Sequence, residues 1–332
     1  MNIEAYRAKI KQLSITLGLP INEFFDFEFS PFKSEFLGIF TFYTETLRDN
    51  HYYGIEPAFL YFNNYKSVNA KAGYFNGNYV ITINMGTVFW LISNFKRNEL
   101  LKKSSGSIRL FKILEPKLDT SINMLMYQTG CHFTFYHEMA HLIQNSNLLE
   151  FHLEEKPNNK EEFSTEKHLL ECDADEFSSL CIASHILQYS EKIFDTNLNQ
   201  YVLEGIIALI SVPVILYLMS FESNNNSIYF EENTHPHPVI RLTRIVLTIV
   251  NYCNQSLIIE NKSYKINQFH IINIALDIAE QLKFAFSNIN GVPEYRKMIS
   301  ANRKEIAAYL KKIDRLQNGN DSLAVSKWNL LR

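Results

Sequence analysis

The sequence predicts an α+β fold, mostly helical, with a small antiparallel sheet placed ahead of one central helix. Three observations lead there. Apolar residues recur at helical spacing near the start (Ile3, Tyr6, Ile10, Leu13, Leu17) and again over residues 271–286 and 294–316. A single Asn76-Gly77 pair separates two short β-rich runs, the strongest short-range hairpin signal. The stretch at 131–145 is apolar nearly all round, as expected of a buried helix.

Taken in order, the first helix should stop near Gly18-Leu19-Pro20. Its charges lie within the helical pattern, unlike a secretory signal. Residues 24–42 are rich in phenylalanine, which suits packing between elements. The hairpin follows, residues 72–75 and 78–84 joined by a type I′ turn, with Val80 and Thr82 on one face and Tyr79, Ile81 and Ile83 on the other. Such a strand either belongs to a scaffold sheet or offers a free edge to an extended peptide. A helix should begin around 88–95, residues 102–107 read as a surface loop, and 118–127 lead into the central helix with Gly130 near its start. Residues 150–166 are acidic and polar, a solvated loop that could cover a cleft. Residues 251–266 read as a polar hairpin or loop. By these signals the chain falls into 1–117, a helical region plus hairpin; 118–250, the core; and 251–332, a C-terminal helical region.

Composition narrows the function classes. The chain has 332 residues, 46% hydrophobic and 20% charged, and a net charge of −3, with no basic excess to attract nucleic acid. Its four cysteines form no CxxC, which fits reduced thiols in a cytoplasmic protein rather than a disulfide framework. Residues 205–221 lack charge, but they are short for a span, contain Pro213 and have glutamates at both flanks; a buried core helix is expected there and membrane insertion is not.

The chemistry concentrates in His137-Glu138-Met139-Ala140-His141. Positions i and i+4 lie one turn apart on one helical face, so both imidazoles can reach one Zn²⁺. Glu138 is rotated by roughly 100° from His137 on the helical wheel, where it can act as general base on a water at the ion. A third ligand is sought downstream, in Glu171-Cys172-Asp173-Ala174-Asp175. Glu171 and Asp175 share a helical face; Glu171 is assigned as ligand, and Asp175, the rival ligand, is expected to accept the second ring N–H of a ligand histidine. The turn Thr234-His235-Pro236-His237-Pro238, with Arg241 beyond it, is stiffened by its prolines and should open a helix at Pro238. His235 and Arg241 are the expected oxyanion-stabilising groups, with His237 as the alternative.

This set, HExxH, then ExxxD, then a His-Pro turn, resembles the gluzincin metallopeptidases. It looks like the prenyl-protease and heat-shock membrane metallopeptidases, and more like the phage-exclusion Lit peptidases of bacteria, because membrane relatives carry several spans. The match covers residues 130–244, about a third of the chain. The resemblance implies a zincin-like fold and a zinc-dependent endopeptidase acting on intracellular proteins such as translation factors during phage infection. Two alternatives stay open: a sensing module with structural zinc, and a membrane-associated peptidase.

Overall fold

The computed structural model describes residues 2–106, 108–144, 153–154, 163–195, 198–220, 227–282, 285–286 and 292–330. It is mostly helical with one small sheet, and its internal contacts divide it into two compact units. The first comprises Met1–Trp90, Thr134–Pro157 and Asn320–Arg332; the second comprises Leu91–Phe133 and Asn158–Gly319.

In the first unit, α1 (Ile3–Leu17) is opened by Asn2, whose side chain accepts from Ala5 N–H at 2.9 Å. It stops where expected, with Gly18 N–H bonded to Ser14 O. Tyr6, Ile10 and Leu13 form its buried face. They meet α2 (Lys33–Asp49) through an aromatic core: Tyr6 lies 4.5 Å from Phe27 and 4.8 Å from Phe40, centroid to centroid, and Phe36 lies 4.9 Å from Phe62. The phenylalanine-rich run is therefore largely packing: most of its ring pairs are tilted or edge-on, Phe27 and Phe36 stack with planes at 14°, and Phe29 is 90% exposed.

The sheet contains β1 (Ala58–Asn63), β2 (Ala70–Phe75) and β3 (Asn78–Asn84), and the two-residue β4 (Leu153–Glu154) adds to β2. The β2–β3 hairpin forms in the expected register, Gly73 opposite Val80, and Asn76 and Gly77 both take the positive φ that a type I′ turn requires. The sheet is not purely antiparallel, however. Strand β1 pairs parallel with β3, giving the order β1-β3-β2-β4. Strand β3 is thus central, hydrogen-bonded on both sides and buried on both faces, and it has no free edge for a peptide. The reason lies in β1, an apolar run (AFLYFN) whose pattern is too uniform to show a period of two.

Helix α3 (Met85–Leu91) starts earlier than its apolar run suggests and continues as a π-helical turn over Ile92–Lys96. The serine-lysine stretch is not a loop through Ser105. It lies in α4 (Glu99–Ser105), capped by Asn98 on Leu101 N–H and anchored by the fully buried Leu101. A short α5 (Arg109–Leu114) precedes α6 (Ile122–Gln144). Gly130 sits well inside α6, not near its start: a Cβ there would come 2.6 Å from Leu91 Cδ2, so glycine serves close packing. At the other end of α6, Lys327 of α13 (Ala324–Leu330) donates to Ile143 O, a cation at a helix C-terminus.

In the second unit, α7 (Thr165–Phe194) starts at Ser164, whose hydroxyl caps Lys167 N–H. Helix α8 (Gln200–Met219) contains the candidate span, and its apolar window is wholly buried among other helices, the packing of a core helix. Pro213 is accommodated inside it. By length and composition alone, α8 and α9 (Pro238–Ile259) could cross a membrane. Helix α9 runs through most of the stretch expected as a polar hairpin, because Ile249, Val250, Cys253 and Leu257 give it a buried stripe. The remaining helices are α10 (Gln268–Leu282), α11 (Val292–Ala301) and α12 (Arg303–Gln317); the single helix expected over 294–316 breaks at Asn302, which leaves helical geometry at φ −112°. Most of the acidic stretch at 150–166 lies outside the described residues.

Candidate metal centre

Helix α6 buries three ionisable groups within two turns: His137, Glu138 and His141 are each 2% exposed or less. Such burial is costly without partners, so their contacts are decisive. The two imidazoles stand edge-on, planes at 88°, with His137 Nε2 and His141 Nε2 3.2 Å apart. Two nitrogens on one tetrahedral ion, each about 2.0–2.1 Å from it, would be about 3.3 Å apart. On the far side of the ring, His141 Nδ1 meets Gln144 Oε1 at 2.9 Å. An amide oxygen only accepts, so Nδ1 holds the proton and Nε2 presents its lone pair. Gln144 is fully buried. It escaped the sequence reading, although a polar side chain three residues after His141 in an otherwise apolar turn was the available signal.

The carboxylates lie on α7 as anticipated, Glu171 and Asp175 one turn apart and both buried. Arg241, from the first turns of α9, lays its guanidinium fork across Asp175: Nε and a terminal nitrogen donate to the two carboxylate oxygens at 2.8 Å each. The same guanidinium lies 3.8 Å from Glu171 Oε2. His235 Nε2 lies 3.4 Å from Glu171 Oε1, while Thr234 Oγ1 is 3.0 Å from His235 Nδ1. His237 has another task. Its Nδ1 accepts from Val239 N–H and caps α9, and its ring packs against Tyr229 and Tyr295. Of the two turn histidines, His235 is the one that faces the carboxylate.

One ligand atom each from His137, His141 and Glu171 lie within 4.8 Å of one another, all three residues buried. Two neutral imidazoles and a carboxylate are the donor set of a hydrolytic zinc site, with one position left for water. This group could hold a metal ion, and the residues present fit zinc.

Two further buried groups fix the frame of Glu171, and neither was singled out from sequence. His168, one turn earlier on α7, donates from Nε2 to Asn233 O at 2.6 Å, which leaves Nδ1 to accept from Tyr309 O–H. Burial pushes the pKa of His168 down and keeps the ring neutral, consistent with this pattern. The bond to Asn233 holds the chain two residues before His235. Arg244, one turn beyond Arg241, bonds Cys172 O at 3.2 Å, Asp314 at 2.9 Å, Glu176 and Gln317. Their signal was spacing, three residues from Glu171 and three from Arg241. The Cys172 thiol, pushed up to about 12 by burial, stays protonated and is no nucleophile.

The chain is thus a mostly helical α+β protein with a buried group of two histidines and one glutamate able to hold a metal ion. No protein-family model, curated protein or solved structure matches it.

Proposed function

We propose that this chain is a zinc-dependent endopeptidase of the gluzincin kind with a zincin-like catalytic core, acting on an intracellular protein in the cytoplasm. Its HExxH, ExxxD and His-Pro turn are similar to those of the phage-exclusion Lit peptidases, which makes a host translation factor the substrate class to test first. The observation that carries the reading is the approach of His137, His141 and Glu171 within 4.8 Å in a buried setting. His137, His141 and Glu171 would hold the ion. Zinc held there would supply Lewis-acid polarisation of the scissile carbonyl and lower the pKa of the attacking water.

The chain's own residues do the rest. Glu138 takes the proton of the attacking water and delivers it to the leaving amine. Gln144 keeps His141 in the tautomer with a free Nε2. His235 and Arg241, both against Glu171, supply the positive or donor groups that an oxyanion requires. Asp175 takes the Arg241 fork and so aims that guanidinium.

The test is digestion of a bacterial proteome-derived peptide library by zinc-loaded protein, read by mass spectrometry for new termini. New termini should appear with the wild type and vanish with chelator. Glu138→Gln should retain stoichiometric zinc by elemental analysis while cleavage falls about 10²–10⁴-fold. A zinc-loaded wild type that generates no new termini from peptides or from intact lysate overturns the peptidase reading, as does full activity in Glu138→Gln.

A further inference from the structure

Two cations stand two residues apart on α1, and they are met differently. Arg7 is ringed by carboxylates: it pairs with Asp26 at 2.6 Å, with Glu4 at 3.6 Å and with Glu28. Lys9 forms no ion pair among the described residues. Its half-buried ammonium lies 4.1 Å from the centroid of the Phe59 ring. The ring offers the charge a face but gives no acceptor to the three N–H donors. Burial lowers the pKa of Lys9, and no neighbouring acid raises it.

Lys9 lines a cavity of about 330 Å³ that lies wholly within the first unit. That is the space of about eleven waters, the scale of a small organic molecule. Phe40 and Leu47 of α2 and Leu60 of β1, all nearly closed to solvent, give it apolar walls. Thr44 of α2 adds a hydroxyl that is buried and finds no hydrogen-bond partner among the described residues. Two residues on, Thr46 turns its hydroxyl back to Phe42 O at 2.9 Å, the ordinary bond of a helical threonine; Thr44 makes no such bond. The remaining charges on the lining are turned to water: Arg48 is 70% exposed and paired with Asp49, and Glu56 is exposed. A desolvated cation without an anion and a buried hydroxyl without a partner both cost free energy, and a ligand with an anionic end recovers it.

We propose that this cavity binds a small monocarboxylic acid with an apolar body, its carboxylate paired with Lys9, its body against Phe40, Leu47 and Leu60, and the Thr44 hydroxyl supplying a second polar contact. The apolar walls give affinity, and the single cation gives preference for an acid over an amine or an alcohol of the same size. The inference uses nothing of the metal centre and stands whether or not the chain cuts peptides.

The test is isothermal titration calorimetry on the full-length protein with three probes of similar size: phenylpropanoate, phenylpropanol and phenylpropylamine. The acid should bind saturably, and the alcohol and the amine at least about tenfold more weakly. Lys9→Met, which keeps the length of the side chain, should weaken the acid about tenfold or more and leave the alcohol unchanged. Thr44→Val removes a hydroxyl that no described protein group uses, and it should weaken the acid severalfold with unchanged circular dichroism. A second measurement on the wild type locates the site without any substitution: saturating phenylpropanoate should slow acetylation of Lys9, followed by peptide mass spectrometry, relative to the exposed Lys11. No saturable binding of the acid, equal affinity for acid and alcohol, or a Lys9 left unprotected overturns the proposal. Wild-type affinity for the acid in a folded Lys9→Met overturns it as well, and is the result expected if the metal centre captures the carboxylate instead.

Discussion

Helix α6 carries two histidine arrangements a turn and a half apart, and they are built for different ends. His137 and His141 stand edge-on at 88° with their Nε2 atoms 3.2 Å apart, and Glu171 supplies a carboxylate within 4.8 Å. His132 instead stacks on His185 of α7, planes at 25° and centroids 5.0 Å apart, on the wall of a cavity of about 300 Å³ lined largely by apolar and neutral side chains. Stacked rings direct their in-plane lone pairs along roughly parallel planes, whereas edge-on rings let two lone pairs converge on a point. The carboxylate matters equally. A dication among neutral imidazoles alone keeps its full charge in a desolvated place, and a carboxylate offsets part of that cost. What distinguishes a metal group from two packed histidines is ring orientation and the nearby anion.

The sharpest way to break the comparison is to remove a ligand. His141→Ala should lose bound zinc altogether by elemental analysis, while His132→Ala should keep it; equal metal content in the two variants would erase the distinction. The next effect falls on stability. Arg241→Met leaves Asp175 buried without its bidentate partner and should cost about 3–5 kcal/mol in chemical denaturation; Arg241→Met with Asp175→Leu should recover most of it. A smaller change is expected from Gln144→Ala, which frees the His141 tautomer and should weaken zinc binding about 10–100-fold in a competition titration, with Gln144→Glu restoring much of it.

The mildest test concerns pH and the stacked pair. Burial, and then the neighbouring ring, lower the pKa of His132 to about 3, and burial lowers that of His185. An unfolded histidine titrates near 6.5, so below that pH the unfolded chain binds more protons than the folded one. The stability these two neutral rings confer is complete above about pH 6.5 and is lost as pH falls toward 3. Thermal melts of His132→Gln should therefore fall less steeply between pH 6.5 and 4 than those of the wild type. A parallel decline would remove His132 from the acid response.

Much of this was legible along the chain because it is local. The i, i+4 spacing of His137 and His141, the Asn76-Gly77 turn, the stop at Gly18 and the helix start at Pro238 all depend on neighbours within a few residues. The failures share a cause as well. Strand β1 and its parallel pairing with β3, the helical state of residues 99–105 and the extension of α9 over 251–259 depend on partners distant in sequence, and local polarity misdescribes them. Gln144, His168 and Arg244 were passed over because a buried polar residue is recognisable only by what it bonds.

By itself, the sequence determined which side chains can act together on one helical face: two imidazoles with a glutamate between them on α6, and two carboxylates one turn apart on α7. Helical geometry fixes those relations within a turn, whatever the rest of the chain does. Only the tertiary structure decided that Glu171 rather than Asp175 accompanies the histidines, that Asp175 is taken by Arg241, and that His235 faces the carboxylate while His237 caps a helix. Those choices rest on long-range packing and on satisfying each buried charge, and no local pattern encodes them.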